Sequence, residues 1–182
     1  MFHEQIKPKT YLVRDKTRES ERMLPLVYCD LDQVLVALLK GADKVVPGGS
    51  FATAPKDIRW KAIQQTKDFW ANLDWMPGAK RLHDFIIRYD AHVLSAFSGR
   101  DPTSKVGKMK WLKKNTKFKR ANIHLVKRSQ KQAYAKNRDG EPNILIDDYI
   151  KNINEWETKG GIGIHHTAVG KTIGKLKKLG FK

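Results

Sequence analysis

The sequence alternates between short apolar runs and segments with helical spacing, and this alternation limits the possible folds more than any other feature. Four runs combine β-branched and large aliphatic residues and end in polar ones: "LPLVYCD", "AHVLSAFS", "ANIHLVK" and "PNILIDD". A fifth run, "GIGIHHT", follows them. Between the runs, stretches such as "AKRLHDFIIRY" place apolar residues three or four positions apart, as in amphipathic helices. Strands that alternate with helices predict an α/β fold with a mainly parallel sheet, flanked by helices on both faces.

Polar side chains follow four of the predicted strands, at the point where each apolar run ends. In open parallel α/β sheets, ligands bind in the crevice outside the carboxyl ends of the strands. We therefore expect these side chains, although distant along the chain, to meet in one crevice. The four groups are Asp30 and Asp32, Ser95 and Ser98, Lys127 and Lys131, and Asp147 and Asp148.

The two acidic pairs indicate a magnesium site. Four carboxylates close together repel one another unless a hard cation lies among them, and oxygen ligands without histidine or cysteine favour Mg²⁺. Beside such an ion, Asp30 can attack a phosphorus atom while Asp32 passes a proton to the leaving oxygen. A serine hydroxyl and a lysine can then hold the phosphoryl oxygens. Either Ser95 or Ser98 can supply the hydroxyl, and we assign it to Ser95, which ends its apolar run directly.

The same residues resemble those of a known enzyme family. The order of "VYCDLDQV", "HVLSAFS", "KQAYA" and "ILIDDYIKNINEW" resembles the four motifs of the haloacid dehalogenase superfamily of phosphohydrolases, over residues 25–167. Within that superfamily, the sequence is most similar to the cytosolic 5′(3′)-deoxyribonucleotidases and their phage-encoded relatives. The resemblance implies a Rossmann-like core over residues 25–33 and 75–170, and a small helical cap over residues 34–74 that closes over the substrate.

The resemblance also implies a role for each acid of the crevice. Asp30 is the expected nucleophile, which forms an aspartyl-phosphate. Asp32 is the expected general acid and base, and its backbone carbonyl also binds Mg²⁺. Asp147 and Asp148 complete the metal site, one directly and one through water. The implied activity is a Mg²⁺-dependent hydrolysis of deoxyribonucleoside monophosphates.

Two positions leave a choice about how the phosphate is held. Lys127 ends the third predicted strand, whereas Lys131 begins "KQAYA", which matches the family pattern better. We assign the catalytic lysine to Lys131. Gln33 stands where the family usually has glycine, so that either the turn differs or an amide projects into the site. The expected substrate-binding residues are Gln33, Ser98, Arg100 and Lys127.

The remaining segments are predicted from their composition and spacing. Residues 1–24 are polar with little periodicity and form an N-terminal extension. Within the cap, one helix is expected to carry Trp60, Ile63, Phe69 and Trp70, whose spacing is more typical of a small core than of a surface that stacks on a nucleobase. The segment from 171 to 182 is predicted to be a basic C-terminal tail.

The charge of the chain indicates an anionic partner. Thirty-six Lys and Arg against nineteen Asp and Glu give a net charge of +17. Between Lys105 and Lys131 there are eleven Lys or Arg and no acid. A phosphorylated nucleotide is the expected substrate, and nucleic acid is a second possible partner. Two alternative functions follow from this excess: a phosphatase acting on DNA or RNA ends, and a non-catalytic nucleic-acid-binding protein with the same fold.

Other classes of protein are not expected. The longest apolar run, "VLVALL", is too short to cross a bilayer, and the N-terminal segment lacks the apolar core of a signal peptide. Cys29 is the single cysteine, so no intramolecular disulfide can form, and its apolar surroundings predict a buried core residue. These features predict a cytoplasmic protein, or a phage-encoded one in the host cytoplasm, with no membrane partner.

Overall fold

The computed structural model describes residues 23–182, so the greater part of the predicted N-terminal extension lies outside the described residues. The described residues fold around a five-stranded sheet in the order β3-β2-β1-β4-β5, and every pair of neighbouring strands is parallel. The strands are β1 (Val27–Cys29), β2 (His92–Ala96), β3 (Ile123–Val126), β4 (Ile144–Asp147) and β5 (Ile162–His165). The α/β fold with a parallel sheet is thereby confirmed, including the fifth strand.

Within residues 23–182, six α-helices and four short 3₁₀ helices connect and cover these strands. The α-helices are α1 (Leu38–Val45), α2 (Lys56–Gln65), α3 (Ala79–Ile86), α4 (Ser104–Asn115), α5 (Ile150–Thr158) and α6 (Val169–Lys178). The 3₁₀ helices are Phe69–Asn72, Ile87–Tyr89, Arg120–Asn122 and Arg128–Tyr134. Among residues 23–182, no helix is long and apolar enough to span a lipid bilayer.

The alternation of side chains along β1 divides the interior into two layers. Val27 and Cys29 belong to a large apolar cluster with residues of α3, α4 and α6, whereas Tyr28 belongs to a smaller one with residues of α5. Because successive strand residues point to opposite faces of a sheet, the two clusters lie on opposite faces. The helices α3, α4 and α6 therefore cover one face, and α5 covers the other.

The segment between β1 and α3 has a small apolar cluster of its own. Ala42, Ile63, Phe69 and Trp70 are buried in it. The prediction of one helix carrying the cap aromatics was wrong, because α2 ends at Gln65 and the chain then passes through Asp68 in the left-handed region, at φ +51°. Phe69 and Trp70 follow on a separate 3₁₀ helix. That this segment closes over a substrate stays a prediction.

The basic C-terminal segment is part of the folded core. Residues 171–182, predicted as a tail, include most of α6, and Ile173, Leu176 and Phe181 are buried in the large cluster. Ile173 and Leu176 are three positions apart in α6, and Phe181 follows the end of the helix. Burying these apolar side chains stabilises the segment against the sheet, while the lysines between them are exposed.

Candidate active site at the carboxyl ends of the strands

Three of the predicted metal ligands meet where β1 and β4 end. Cys29 pairs with Ile146, and the Asp30 amide donates to the carbonyl oxygen of Ile146 at 2.8 Å. This register places Asp30 beside Asp147, the last residue of β4, and Asp148 follows directly. One carboxylate oxygen from each of the three acids lies within 4.8 Å of the others. The adjacency of β1 and β4 in the sheet therefore brings together residues more than a hundred positions apart.

Lys131 lies between two of these acids. Its Nζ is 2.7 Å from Asp147 Oδ2 and 3.0 Å from Asp30 Oδ1, and its side chain is only 4% exposed. Burial alone would lower the pKa of Lys131, but the charges of Asp30 and Asp147 outweigh it and raise that pKa above its ordinary value. Lys127 is exposed and caps the 3₁₀ helix that carries Lys131. Of the two lysines, the structure brings Lys131 to the acids.

Asp147 is held firmly and Asp148 less so. Asp147 Oδ2 accepts from Asn152 Nδ2 at 2.9 Å, and its Oδ1 accepts from the Tyr149 amide at 2.9 Å. Burial and the nearby charge of Asp30 raise the pKa of Asp147. Burial, together with Asp30 and Asp147, raises the pKa of Asp148 to about 7. Burial is the larger cause in both residues, and a bound cation would relieve the part that comes from neighbouring negative charge.

Asp32 contacts Lys108, a lysine that was not among the predicted site residues. Lys108 on α4 places its Nζ 2.5 Å from Asp32 Oδ2 and 3.3 Å from Ser95 Oγ, and also donates to the carbonyl oxygen of Ala96 at 2.6 Å. Lys108 and Ser95 are both buried. The sequence alone does not distinguish Lys108 from the other cations of α4, because Lys114 has the same spacing from Trp111 and only the packing of the helix buries Lys108.

Asp32 itself faces the opening of the crevice. Its side chain is 23% exposed, in contrast to 9% for Asp30. Burial raises the pKa of Asp32, Lys108 opposes that rise, Asp30 adds to it, and the net shift is upward. A carboxyl group that holds a proton more readily than usual is suited to pass one to a leaving oxygen.

The other predicted substrate-binding residues have structural contacts. Gln33 adopts a left-handed φ of +58°, and its Oε1 accepts from the Leu39 amide at 2.9 Å, so the side chain caps α1. Ser98 is bound within its own loop, where its Oγ accepts from the Arg100 amide at 3.1 Å. Arg100 is exposed, and its carbonyl oxygen accepts from Gln64. These residues lie on the loops around the crevice, whereas Ser95 lies beside Lys108.

The donor set suits a hard divalent cation. Asp30, Asp147 and Asp148 offer oxygen atoms alone, the ligand type that Mg²⁺ prefers. Asp30 Oδ1 is buried and has no hydrogen bond, because Lys131 lies within ion-pair distance of it but outside hydrogen-bonding geometry. Three carboxylates face the single ammonium of Lys131, so a divalent cation among them would relieve the remaining repulsion. The residues present therefore fit a magnesium ion.

Comparisons with known proteins identify a shared fold. No family model and no curated protein matches the sequence. Among solved structures, the chain is similar to a hydrolase from Streptococcus pneumoniae TIGR4, with a TM-score of 0.52 and 11% sequence identity. The match covers 85% of this chain and 98% of that chain. At this level of identity, the likeness extends to the arrangement of sheet and helices and supports the α/β Rossmann-like assignment.

Proposed function

We propose that the protein is a Mg²⁺-dependent phosphomonoesterase that hydrolyses deoxyribonucleoside monophosphates through an aspartyl-phosphate on Asp30. The observation that carries the proposal is the convergence of Asp30, Asp147 and Asp148 within 4.8 Å, with a buried lysine between two of them. The order of these residues along the chain supports the reaction type, since it matches the motifs of the phosphohydrolases that the sequence resembles. The nucleotide as substrate rests on that resemblance and on the helical segment inserted after β1.

The proposed reaction consists of two displacements at phosphorus, each accompanied by a proton transfer. Asp30 attacks the phosphorus atom, the bond from phosphorus to the leaving oxygen breaks, and Asp32 gives its proton to that oxygen. Water then attacks the aspartyl-phosphate, Asp32 takes a proton from the water, and inorganic phosphate leaves with Asp30 restored. Asp32 is suited to both steps because its pKa is raised and it is the more exposed of the two acids.

The cationic and hydroxyl groups of the crevice would stabilise the charge that develops on the phosphoryl oxygens. Ser95 and Lys108 lie 3.3 Å apart at the end of β2, and Lys131 lies across the crevice at the end of β4. Preorganised donors of this kind act more strongly in a buried site than in water. When bound by Asp30, Asp147 and Asp148, the metal would neutralise phosphate charge and reduce the repulsion that Asp30 meets as it approaches.

Phosphate release is the test of this proposal. Purified protein is given deoxyribonucleoside monophosphates, or an oligonucleotide with a terminal phosphate, with Mg²⁺ and then with EDTA. We expect release from the monophosphates in Mg²⁺ alone, and a loss of at least about a thousandfold in Asp30→Asn. Asp139→Asn is the matched control, because Asp139 is an exposed acid in a turn and should leave the rate unchanged.

Two outcomes would contradict the proposal. Release from the oligonucleotide alone would replace the mononucleotide substrate with a polynucleotide end. Equal activity of Asp30→Asn and the unchanged protein would remove Asp30 as the nucleophile. Circular dichroism of each variant separates a lost reaction from a lost fold.

A further inference from the structure

Positive charge is concentrated on one of the two faces of the sheet. The three helices that cover the face of Val27 and Cys29 carry one exposed acid, Asp84, and ten exposed cations. We call the following ten residues the basic layer: Lys80 and Arg81 on α3, Lys105, Lys110, Lys113 and Lys114 on α4, and Lys171, Lys175, Lys177 and Lys178 on α6. The helix on the opposite face, α5, has one lysine and two glutamates. Among the described residues, positive charge is therefore segregated onto one face, which a merely solvated surface does not require.

The three helices form one continuous surface. Residues of α3 contact α6 directly, and the backbone after α4 contacts α3, where the Lys117 amide donates to His83 Nε2 at 3.2 Å. Leu82 of α3, Trp111 of α4 and Leu176 of α6 belong to the same buried cluster. Their apolar sides face the sheet, so their lysines face solvent side by side.

The cations of this surface are largely uncompensated. Lys110 forms an ion pair with Asp68 at 3.0 Å. Lys113, Lys114, Lys175 and Lys178 have no carboxylate partner within residues 23–182. Holding unpaired cations together costs electrostatic free energy, and an anionic partner would recover it by displacing counterions.

We propose that the basic layer binds double-stranded nucleic acid through its phosphate backbone, as an activity separate from the chemistry of the crevice. The dimensions are compatible, because α4 is about 18 Å long and a duplex of that length carries roughly ten phosphate charges. The proposal goes beyond the proposed function and does not depend on it.

The composition of the surface favours a duplex over the other polyanions. Surfaces that bind single strands combine positive charge with aromatic side chains on which bases stack. The aromatic residues of these helices, Phe85 and Trp111, are both buried. Anionic membranes are bound by helices that also offer an apolar face, whereas Ile173 and Leu176 of α6 are already buried against the sheet.

Fluorescence anisotropy with a labelled duplex of about 20 base pairs tests the proposal. The measurement is made in EDTA, so that turnover cannot contribute, over a salt series between about 50 and 200 mM. We expect binding that weakens linearly in the logarithm of the salt concentration. The quadruple variant Lys113→Gln, Lys114→Gln, Lys175→Gln and Lys178→Gln should bind at least about tenfold more weakly, with a salt slope smaller by about three.

A second quadruple variant has the same net charge and serves as the control. It carries Lys136→Gln, Arg138→Gln, Lys151→Gln and Lys159→Gln, which alter exposed residues outside the basic layer. It should retain affinity within about twofold. Equal losses in the two variants would overturn the proposal in favour of general Coulombic attraction. No binding by the unchanged protein, tighter binding of a single strand, or binding of anionic vesicles in place of the duplex would overturn it as well.

Phosphate release from monophosphates, measured on the same preparations, keeps the two proposals apart. Both quadruple variants should retain that activity if the crevice acts as proposed, since none of the eight residues contacts it. Duplex binding without phosphate release would leave the basic layer supported and contradict the phosphatase alone.

Discussion

At the level of single residues, the crevice is built from ion pairs between acids and two buried lysines. Lys131 offsets Asp30 and Asp147, while Lys108 offsets Asp32. Each lysine is almost fully buried, so its attraction to the acids must compensate for the water that it has lost. A lysine in this position therefore has a structural role in the absence of metal, in addition to any role with a phosphate.

Replacing Lys131 should expose that structural role. Lys131→Met keeps the approximate volume and removes the charge, which leaves two buried carboxylates without their cation. We expect the free energy of unfolding in EDTA to fall by about 3 kcal/mol, the usual scale for removing one partner of a buried ion pair. Mg²⁺ should reduce the loss, because it binds the folded acids and not the unfolded chain.

Urea denaturation of Lys131→Met with and without Mg²⁺ measures both effects. Lys127→Met is the control, since Lys127 is exposed and should change stability by no more than about 0.5 kcal/mol. A similar loss in the two variants would show that position 131 has no special electrostatic role.

The acids of the crevice could be predicted from sequence, whereas one of its lysines could not. Asp30 and Asp147 directly follow or end apolar runs, and strand ends in a parallel sheet converge. Lys108 lies within a run of cations, and only the packing of α4 selects it from its neighbours. The role of Gln33 could not be predicted either. Its side chain accepts from the Leu39 amide, and this contact depends on where α1 begins.

At the scale of elements, the helical segment after β1 is attached tightly to α4. Trp70 Nε1 donates to Asp101 Oδ2 at 2.7 Å, and the Trp70 ring lies over the ammonium of Lys108 at 5.3 Å. Gly107 of α4 lies against the base of the Trp70 side chain, where a Cβ atom would come within 2.5 Å of Trp70 Cβ. The close approach of the two elements therefore requires the absence of a side chain at Gly107.

Substituting alanine for two helical glycines should have opposite effects. In a helix, alanine is favoured over glycine by about 1 kcal/mol. At Gly107 the clash with Trp70 should outweigh this gain, so we expect Gly107→Ala to lose about 1 to 3 kcal/mol of stability. At Gly174 of α6, a Cβ atom meets nothing within 4 Å, and Gly174→Ala should gain up to about 1 kcal/mol.

Urea unfolding of the two variants gives the comparison. A stabilised Gly107→Ala would mean that the Trp70 element can move away from α4 at little cost, contrary to the tight attachment inferred here.

Strands and helices could be predicted from the sequence where a single pattern was strong. The five strands follow from apolar runs bounded by polar residues. The C-terminal helix was predicted as a tail because its lysines are numerous, although Ile173 and Leu176 already had helical spacing. The break after α2 depends on Asp68 adopting a left-handed φ, which neither residue composition nor periodicity indicates.

Across the whole molecule, titration of the acids at the carboxyl ends of the strands and titration of His92 at the start of β2 have opposite effects on stability. The raised pKa values of Asp32, Asp147 and Asp148 make the folded state bind protons more readily than the unfolded state, so these acids favour folding as the pH falls. His92 behaves in the opposite way. Burial first, and then His124 and Lys119, lower the pKa of His92 to about 4 against the opposing charge of Asp90.

Taken alone, the histidine contribution lowers the free energy of unfolding in mild acid. His92 Nδ1 lies 2.9 Å from His124 Nε2, and the pair needs one donor and one acceptor, so a proton on the acceptor breaks the bond. Between an unfolded pKa of 6.5 and a folded pKa of about 4, the unfolded chain binds more protons, and stability falls as the pH falls. His92 is partly exposed, so we expect roughly 1 kcal/mol between about pH 7 and pH 5 after allowance for solvent screening.

The acids of the crevice raise the free energy of unfolding as the pH falls, opposite to the effect of His92. The prediction is therefore a difference in pH dependence between a variant and the unchanged protein. His92→Gln keeps a hydrogen-bonding group on β2 and removes the titration, so its free energy of unfolding should fall less on acidification, or rise more, than that of the unchanged protein. Urea unfolding at several pH values measures both curves. Parallel curves would mean that the histidine pair takes up protons in the folded state as easily as in the unfolded chain, and acid sensitivity would then have to arise elsewhere in the molecule.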